Sequence, residues 1–467
     1  MCTVCVTASG APVCGVWRDP TREGRPEPGP RSPVRPGEEP QAAAADPGME
    51  AFLRSRGAEL SGPGSGLGPV HVVLGNEACD MDSMVCALVY GYLLHMSGGG
   101  RGVVIPLLNI PAQDFVLRSD SVALLRKSGL SPELLLFRDQ VDLRRIRRER
   151  GLWLTLVDHN VLADSDSYLE GAVVEVIDHH KLERVVTAET AASCLITVET
   201  VGSCATLVTE KLLQRAPELL DLNVATLLYG TILVDCVDLA PEAGKVTPKD
   251  SEVVHELETK VQSLPQRSEL FTELQDQKFN VHGLNSEQML RKDLKSVSGP
   301  DLSLGISVIY LPLQDFLGMA GVAAELSSFC QTMGFDLLLL MSISFTASQQ
   351  PIRELGVFSL SQPIREQVSA HLVQAESPAL LLQPISCEHP HVTAFHQGNA
   401  TASRKKVLPI LKDCLFSDDI TSCVKRRDFL SSDDLMVPPT PVNSLVEGSP
   451  LDQGLSPTEL TTRLLTR

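Results

Sequence analysis

Short apolar segments that each run into an acidic residue are the feature that most restricts how this chain can fold. The segment Val70–Leu74 is followed by Asp80 and Asp82, and later segments end at Asp158, Asp178 and Asp235. Such segments, alternating with helical patterns, are typical of parallel strands covered by helices. Because ligands bind at the carboxyl ends of parallel strands, we expect Asp80, Asp158 and Asp178 to meet at one sheet edge. We expect Asp235 at the end of a helix packed against that edge.

The same patterns predict the elements of two domains. Strands are predicted near 70–74, 103–108, 133–137, 152–157 and 173–177, with helices near 83–96, 203–214 and 223–235. Beyond a turn-rich segment at 240–248, helices are predicted near 249–262, 268–277 and 286–295, and strands near 304–311, 335–343, 355–360 and 379–385. We therefore predict an α/β fold. A parallel-sheet domain with helices on both faces spans 70–245, and a smaller α/β domain with a mixed sheet spans 246–415.

The two ends of the chain have compositions that disfavour a folded core. Residues 1–48 are rich in proline, arginine and glycine, and the polar tail from Ser417 carries several Ser-Pro and Thr-Pro pairs. Neither buries enough apolar surface to offset the entropy of ordering. We predict a disordered arm and linker over 1–69, in which a short helix from Met49 ends at a linker that begins with Gly57, and a disordered tail over 416–467.

Charge and composition argue against several classes of function. The formal net charge of −18 opposes binding of nucleic acid or anionic membranes, and an aromatic content of 4% leaves few platforms for stacking bases. We expect no membrane insertion, because no apolar run is long enough to cross a bilayer. The 12 cysteines lack a zinc-binding pattern, which favours reduced thiols in a cytoplasmic protein, with the nucleus as a second compartment.

Paired carboxylates and a histidine doublet indicate metal chemistry. Asp80 and Asp82 form a D-x-D pair that can hold two cations, although solvated loop carboxylates are common at such positions. Asp158 ends a buried run where its charge needs a partner, either a cation or, in the other interpretation, the amides of a helix N-terminus. In Asp178-His179-His180, one imidazole can bind metal while the next meets substrate. Together these groups predict a two-metal phosphohydrolase.

In this order the motifs resemble those of the DHH phosphoesterase superfamily. Lys295 and the run Ser403–Lys406 resemble phosphate-binding motifs in the branch that contains family II inorganic pyrophosphatases and exopolyphosphatases. The glycine-rich motif of the nucleic-acid-processing branch is absent from the sequence. Within the first branch, Gly75–Ser83, Leu108–Ile110, Val201–Glu210 and Met289–Lys295 are similar to the animal Prune proteins. The resemblance covers roughly 70–415.

The resemblance also implies a role for each site residue. One metal ion would be held by Asn76, Asp80 and Asp158, and the other by Asp82, Asp158, His179 and Asp235. His180, Lys295, Arg404 and Lys405 would bind the phosphates of the substrate. The implied activity is release of orthophosphate from short-chain polyphosphates by two-metal activation of water, with cyclic nucleotide phosphodiesters as a second substrate class. Ser203 either offers backbone donors to phosphate or is a plain helix N-cap, and His159 is interpreted as structural.

A regulatory interaction protein with weak or vestigial catalysis is the alternative hypothesis. The Asn76 substitution and the Ser/Thr-Pro tail motivate it. The Prune resemblance implies nucleoside diphosphate kinase as a partner and a role in cell motility signalling. The histidine doublet, the acidic positions and the basic residues favour catalysis instead.

Asn76 stands where the related pyrophosphatases carry histidine, which affects the choice of metal. A neutral amide oxygen replaces an imidazole, and oxygen ligands suit magnesium better than manganese. We predict magnesium as the working ion, with manganese able to replace it, and we expect Asn76→His to raise the preference for manganese. Turnover measured with both ions in both proteins checks this. Unchanged selectivity would show that residue 76 is not a ligand.

Overall fold

Two β-sheets organise the part of the chain that the structure describes, which is residues 48–61, 68–184, 194–299, 302–346 and 350–415 of a computed structural model. Among these residues one sheet has five strands and the other has six. The α/β prediction, with a parallel sheet followed by a mixed sheet, is confirmed. The predictions for 1–47 and 416–467 fall outside the described residues.

The first sheet is built from parallel pairs. Its strands are β1 (Val70–Leu74), β2 (Val103–Leu107), β3 (Leu152–Val157), β4 (Val173–Asp178) and β5 (Leu195–Val198), in the order β2-β1-β3-β4-β5. Every residue of β1 is buried, because apolar clusters cover both faces of the sheet. The chain leaves β1 toward β2 and returns on its other side at β3. A crevice therefore opens between the carboxyl ends of β1 and β3.

Helices cover this sheet on both faces. They are α1 (Gly48–Ser61), α2 (Met81–Met96), α3 (Ser119–Lys127), α4 (Leu143–Glu149), α5 (Cys204–Arg215), α6 (Leu222–Asp235), α7 (Pro248–Lys260) and α8 (Arg267–Phe279). Helices α2, α5 and α6 form the centre of the larger apolar cluster, and α4 packs on the opposite face. No described helix is both long and apolar enough to cross a membrane.

The second sheet mixes strand directions. Its strands are β6 (Leu294–Ser298), β7 (Ser303–Ile309), β8 (Leu337–Phe345), β9 (Pro351–Phe358), β10 (Leu382–Ile385) and β11 (Val392–Gln397), in the order β10-β11-β9-β8-β7-β6. Only β7 and β8 pair in parallel among these strands. Helices α12 (Gln362–Gln374) and α13 (Arg404–Leu415) cover one face. Helices α9 (Ser286–Lys292), α10 (Leu313–Leu317) and α11 (Val322–Met333) cover the other.

Two predicted elements are wrong and several strands were missed. No strand forms at 133–137, where Pro132–Leu134 is a 3₁₀ turn capped by Ser131 and Leu108 makes an isolated bridge to Phe137. The helix predicted over 286–295 ends at Lys292, because the chain then enters β6. Strands β5, β6 and β11 were not predicted. Strands β5 and β6 lie at sheet edges with mostly half-buried side chains, so apolar and polar residues alternate only weakly in their sequences.

Helix α1 extends beyond its predicted end and packs on the first domain. It continues through Gly57 to Ser61, and Met49, Phe52 and Leu53 are each 2% exposed. The buried guanidinium of Arg56 donates to the carbonyl oxygens of Phe52 at 3.0 Å and Val104 at 3.3 Å. These contacts fix the helix, so the described fold begins N-terminal to residue 70.

We predict that Phe52→Ala destabilises the protein by about 3–5 kcal/mol, because it removes a buried ring that contacts Tyr92 and leaves a cavity. Chemical denaturation measures the free energy of unfolding. Arg54→Ala on the exposed side of α1 is the control, with an expected change within about 0.5 kcal/mol. Equal effects of the two changes would show that α1 is not part of the cooperative unit.

Candidate metal centre

The D-x-D pair lies at the start of α2, immediately beyond β1. Asp80 is the N-cap of α2, and its Oδ1 accepts a hydrogen bond from the Ser83 amide at 3.1 Å. Asp82 is 4% exposed, and its two oxygens accept the Cys204 amide at 2.6 Å and the Ala205 amide at 2.8 Å. The N-terminus of α5 is therefore occupied by Asp82. The Cys204 and Ala205 amides that follow Ser203 thus serve Asp82 in this structure.

Asp158 follows β3 and lies at the centre of the site. Its φ is 61°, a left-handed conformation that aspartate tolerates better than most residues. Its Oδ2 accepts a hydrogen bond from Asn76 Nδ2 at 2.8 Å. Its Oδ1 is buried without a hydrogen-bond partner, and His179 Nε2 lies 3.3 Å from it. A buried carboxylate oxygen facing a ring nitrogen in this way is suited to sharing a cation.

In this structure the side chain of Asn76 is hydrogen-bonded to Asp158 and to the backbone of its own loop. Its Oδ1 accepts the Cys79 amide at 3.0 Å while its Nδ2 faces Asp158. A cavity of about 140 Å³ beside it is lined in part by His159 and Asn160. His159 is buried with Nδ1 2.9 Å from the carbonyl oxygen of Val157. The role of Asn76 as a metal ligand stays a prediction.

The histidine doublet is oriented from behind by fixed acceptors. His179 Nδ1 lies 2.9 Å from the carbonyl oxygen of Val201, so it carries the proton and Nε2 faces Asp158 and, at 3.8 Å, Asp82. His180 Nδ1 lies 2.8 Å from Asp178 Oδ1. Asp158, His179 and His180 together offer ligand atoms within 4.8 Å of one another. Both rings are thus held in place by groups that do not need a metal.

Asp178 is a functional residue that our site prediction omitted. Its Oδ1 accepts the amides of His179 at 2.8 Å and His180 at 3.2 Å as well as the His180 ring, and Asn160 donates to Oδ2 at 2.6 Å. These hydrogen bonds outweigh burial and lower the pKa of Asp178. Its position at the end of β4, directly before the doublet, was the signal that could have found it.

Asp235 completes the acidic set from the last residue of α6. Its Oδ2 accepts a hydrogen bond from the Ser203 hydroxyl at 2.8 Å, so Ser203 serves Asp235 and makes no side-chain cap for α5. Burial and the charges of Asp82 and Asp80 raise the pKa of Asp235 well above its usual value. Asp235 therefore belongs to the same cluster as the D-x-D pair, as predicted.

The loop before α5 carries Val201 and Ser203 and is fixed by a buried aspartate. Asp250 accepts the Gly202 amide at 2.8 Å and the Thr206 hydroxyl at 2.6 Å. A Cβ on Gly202 would lie 2.3 Å from Cys236 Sγ and 2.4 Å from the Lys245 carbonyl oxygen, so only glycine fits. The acceptor for His179 and the donor for Asp235 are positioned by this loop.

The acidic cluster brings together more negative charge than the protein groups around it neutralise. Burial and the charge of Asp82 raise the pKa of both Asp80 and Asp158. Burial alone would lower the pKa of His179, but the close approach of Asp158 and the charges of Asp158 and Asp82 raise it well above its usual value. Asp82 and Asp158 are buried, Asp235 is half-buried and Asp80 is exposed, and carboxylates crowded in this way need positive charge. Oxygen donors with one imidazole fit a divalent cation.

Three of the four predicted phosphate-binding residues, Lys295, Arg404 and Lys405, lie in the second domain, and His180 lies beside the aspartate cluster. Lys295 lies in β6, and burial, together with the charges of Arg404 and Lys405, lowers its pKa to about 8. Arg404 begins α13, and its Nη1 lies 2.6 Å from Asp293 Oδ1. Within the described ranges, no hydrogen bond or ion pair joins these three cations to the four clustered aspartates. The positive charges of Lys278 and Arg118 instead act on Asp80 and oppose the rise of its pKa, and neither residue was predicted.

Comparison of the sequence with known proteins assigns the chain to a family. Residues 71–255 match the N-terminal domain of the DHH family, and residues 272–414 match the DHHA2 domain. The exopolyphosphatase PRUNE1 of Mus musculus is 42% identical over 414 residues, which cover 83% of this chain and 90% of that protein. The chain belongs to the Prune family. The resemblance drawn from the motifs is confirmed.

Two further relatives mark the breadth of the Prune similarity. Protein prune homolog 2 of Mus musculus is 31% identical over 79% of this chain and 11% of that protein. The manganese-dependent inorganic pyrophosphatase of Methanocaldococcus jannaschii is 27% identical over 51% of this chain and 71% of that protein. Exopolyphosphatases and pyrophosphatases are hydrolases, which is the enzyme class predicted from the sequence.

We predict that divalent metal affinity rises steeply with pH and that binding releases protons. In the metal-free protein, Asp80, Asp158, Asp235 and His179 all hold their protons to higher pH than usual, and a cation binds only the deprotonated groups. Each released proton should strengthen apparent binding about tenfold per pH unit. Calorimetry in buffers of different ionisation enthalpy measures both quantities. Affinity that is flat between about pH 5.5 and 8 would contradict the arrangement.

Proposed function

We propose that this protein is a metal-dependent phosphohydrolase that releases orthophosphate from short-chain polyphosphates with two divalent ions. The observation that carries the proposal is the buried Asp158 Oδ1, which accepts no hydrogen bond and faces His179 Nε2 at 3.3 Å. In the absence of an ion a protonated His179 compensates the charge of this oxygen, and a bound divalent cation would take over that role. The family supports the reaction class, because its relatives carry the names exopolyphosphatase and inorganic pyrophosphatase.

The acidic side chains and His179 would hold the ions. Asn76, Asp80 and Asp158 form one proposed set, and Asp82, Asp158, His179 and Asp235 form the other. Bound ions would supply a water of lowered pKa and would neutralise phosphoryl oxygens. The backbone amides on Asp82 and the Val201 carbonyl oxygen on His179 keep both ligands in fixed orientations. These two ligands are therefore oriented before an ion binds, whereas Asn76 would have to turn its amide so that oxygen replaces Nδ2 beside Asp158.

The cations of the second domain would bind the phosphate chain. Arg404 presents a planar guanidinium already oriented by Asp293, and Lys405 and Lys295 add point charges. The pKa of about 8 for Lys295 leaves the ammonium charged at neutral pH, and an arriving phosphate would favour that form further. His180, fixed through Nδ1 by Asp178, would bind the substrate through its other ring nitrogen.

Magnesium is the proposed working ion, with manganese as a substitute. The related pyrophosphatase of Methanocaldococcus jannaschii is named manganese-dependent. Here the amide of Asn76 would offer oxygen in place of imidazole nitrogen once its Oδ1 is released from the Cys79 amide, and oxygen favours the harder ion. A cyclic nucleotide is a second proposed substrate, because water activation at such a site acts equally on a phosphodiester. No observation in the structure favours nucleoside diphosphate kinase as a partner over others.

We expect magnesium-dependent phosphate release from tripolyphosphate and tetrapolyphosphate, and a loss of about 10³-fold or more in Asp158→Ala, because one change removes a shared ligand. Phosphate release from pyrophosphate, short polyphosphates and cyclic AMP is measured with magnesium and then manganese. Asp164→Ala, an exposed acidic position in the same domain, is the matched control and should keep wild-type rates.

Two results would contradict the proposal. Turnover by Asp158→Ala equal to that of the control would remove the metal-centre mechanism. Wild-type protein with no turnover on any of these substrates, despite tight metal binding, would favour the interaction protein.

A further inference from the structure

Arg118 contacts two parts of the molecule whose relative position matters for the proposed reaction. It stands between a 3₁₀ turn at Ala112–Leu117 and helix α3. Its Nε donates to the carbonyl oxygen of Ala78 at 2.9 Å, inside the loop that carries Asn76 and Asp80. Its Nη1 donates to the carbonyl oxygen of Lys292 at 3.4 Å, at the end of α9. One guanidinium thus contacts the metal-binding loop and the second domain.

The contact is reciprocal, which makes it rigid. Lys292 is 8% exposed, and its Nζ donates to the Leu117 carbonyl oxygen and to the Ser119 hydroxyl oxygen, both at 2.8 Å. Ser119 in turn donates to the Gln277 carbonyl oxygen at 2.6 Å, in α8. Residues 117–119 and residue 292 therefore hold each other by bonds in both directions. A buried ammonium kept by neutral oxygens is costly unless the geometry around it is maintained.

The second-domain end of this contact is continuous with the phosphate-binding residues. Asp293, the next residue, accepts Arg404 at 2.6 Å and the Tyr310 hydroxyl at 3.0 Å, and Lys295 follows two positions later in β6. On the other side, Cys79 beside Ala78 has φ of 44°, so the loop is in a conformation that needs outside support. A path of direct contacts thus runs from the loop at 76–80 through Arg118 to Asp293 and Arg404.

We infer that Arg118 is a positioning residue that sets the metal-binding loop at a fixed distance from the phosphate-binding residues of the second domain. The inference rests on the proposed function, since it assigns those two groups to one reaction. It explains why an arginine stands there. A guanidinium has donors on separate nitrogens in one plane and reaches two carbonyl oxygens at once, whereas a lysine at the same position reaches one.

The closing experiment compares Arg118→Lys with Arg291→Gln. Arg118→Lys keeps the charge and removes the bridge. Arg291→Gln is the matched control, because Arg291 Nη2 lies 2.6 Å from Asp114 Oδ2 and joins the same two domains without touching the metal-binding loop. Three quantities are measured on the full chain: Mn²⁺ affinity by electron paramagnetic resonance, amide hydrogen exchange of segments 76–84 and 292–298, and kcat and KM for tripolyphosphate with magnesium.

For Arg118→Lys we expect faster exchange in both segments, weaker Mn²⁺ binding and a kcat lower by about tenfold to hundredfold, with KM changed less. Arg291→Gln is expected to match the wild type in exchange and to stay within about twofold in kcat. Arg118→Lys with wild-type exchange, Mn²⁺ affinity and kcat would overturn the inference. So would equal effects of the two variants.

Failure of the proposed function is separable from failure of this inference. If the wild type releases no phosphate, exchange and Mn²⁺ affinity still decide whether Arg118 positions the loop. If Arg118→Lys does not fold, Lys292→Met tests the same contact from the second-domain side, because it removes the ammonium and leaves the Lys292 carbonyl oxygen. We then expect faster exchange in both segments, and wild-type exchange would overturn the inference.

Discussion

The carboxylate of Asp82 accepts hydrogen bonds from the first two amides of α5, and the geometry of the whole acidic cluster depends on this contact. It joins α2 to α5 at the carboxyl edge of the first sheet. The partial positive charge of a helix N-terminus stabilises the carboxylate there, where water is excluded. The loop just before α5 supplies the acceptor for His179 and the donor for Asp235. One contact between two helices therefore orients ligands that come from three different elements.

This arrangement concentrates like charges where the fold would otherwise avoid them. Four aspartates converge with one imidazole, and Asp158 does so from a left-handed backbone conformation. Burial and mutual repulsion raise the pKa of Asp80, Asp158 and Asp235, so the cluster is less favourable by itself than a hydrocarbon core of the same volume. The surrounding helices are long and almost fully buried, which gives the domain the stability to tolerate this site.

The sequence predicted those parts of the protein in which a pattern of residues is compatible with a single structure. Buried strands ending in aspartate predicted β1, β3 and β4 and the position of Asp80, Asp158 and Asp178 at one sheet edge, because a charged side chain after a buried apolar run is accommodated where the strand ends. Asp235 was expected from a helix packed against that edge. These patterns did not anticipate Asp178 as the acceptor of four hydrogen bonds, since a carboxylate beside two histidines suits several roles equally. Lys295 was placed in a helix because the residues before it have helical spacing, and only pairing with β7 makes its segment a strand. Arg118 carried no pattern, because its partners are distant in the chain.

Both acceptors of Arg118 are main-chain carbonyl oxygens, and this determines which substitutions in relatives would leave the contact unchanged. Any residue at 78 or 292 offers the same carbonyl oxygen to the guanidinium. The side chain at 78 is thus free to vary without altering this contact, while Arg118 has no substitute of equal reach. Correlated substitutions between the two domains would therefore not reveal this contact in an alignment of relatives. It would appear only as one invariant arginine without a co-varying partner.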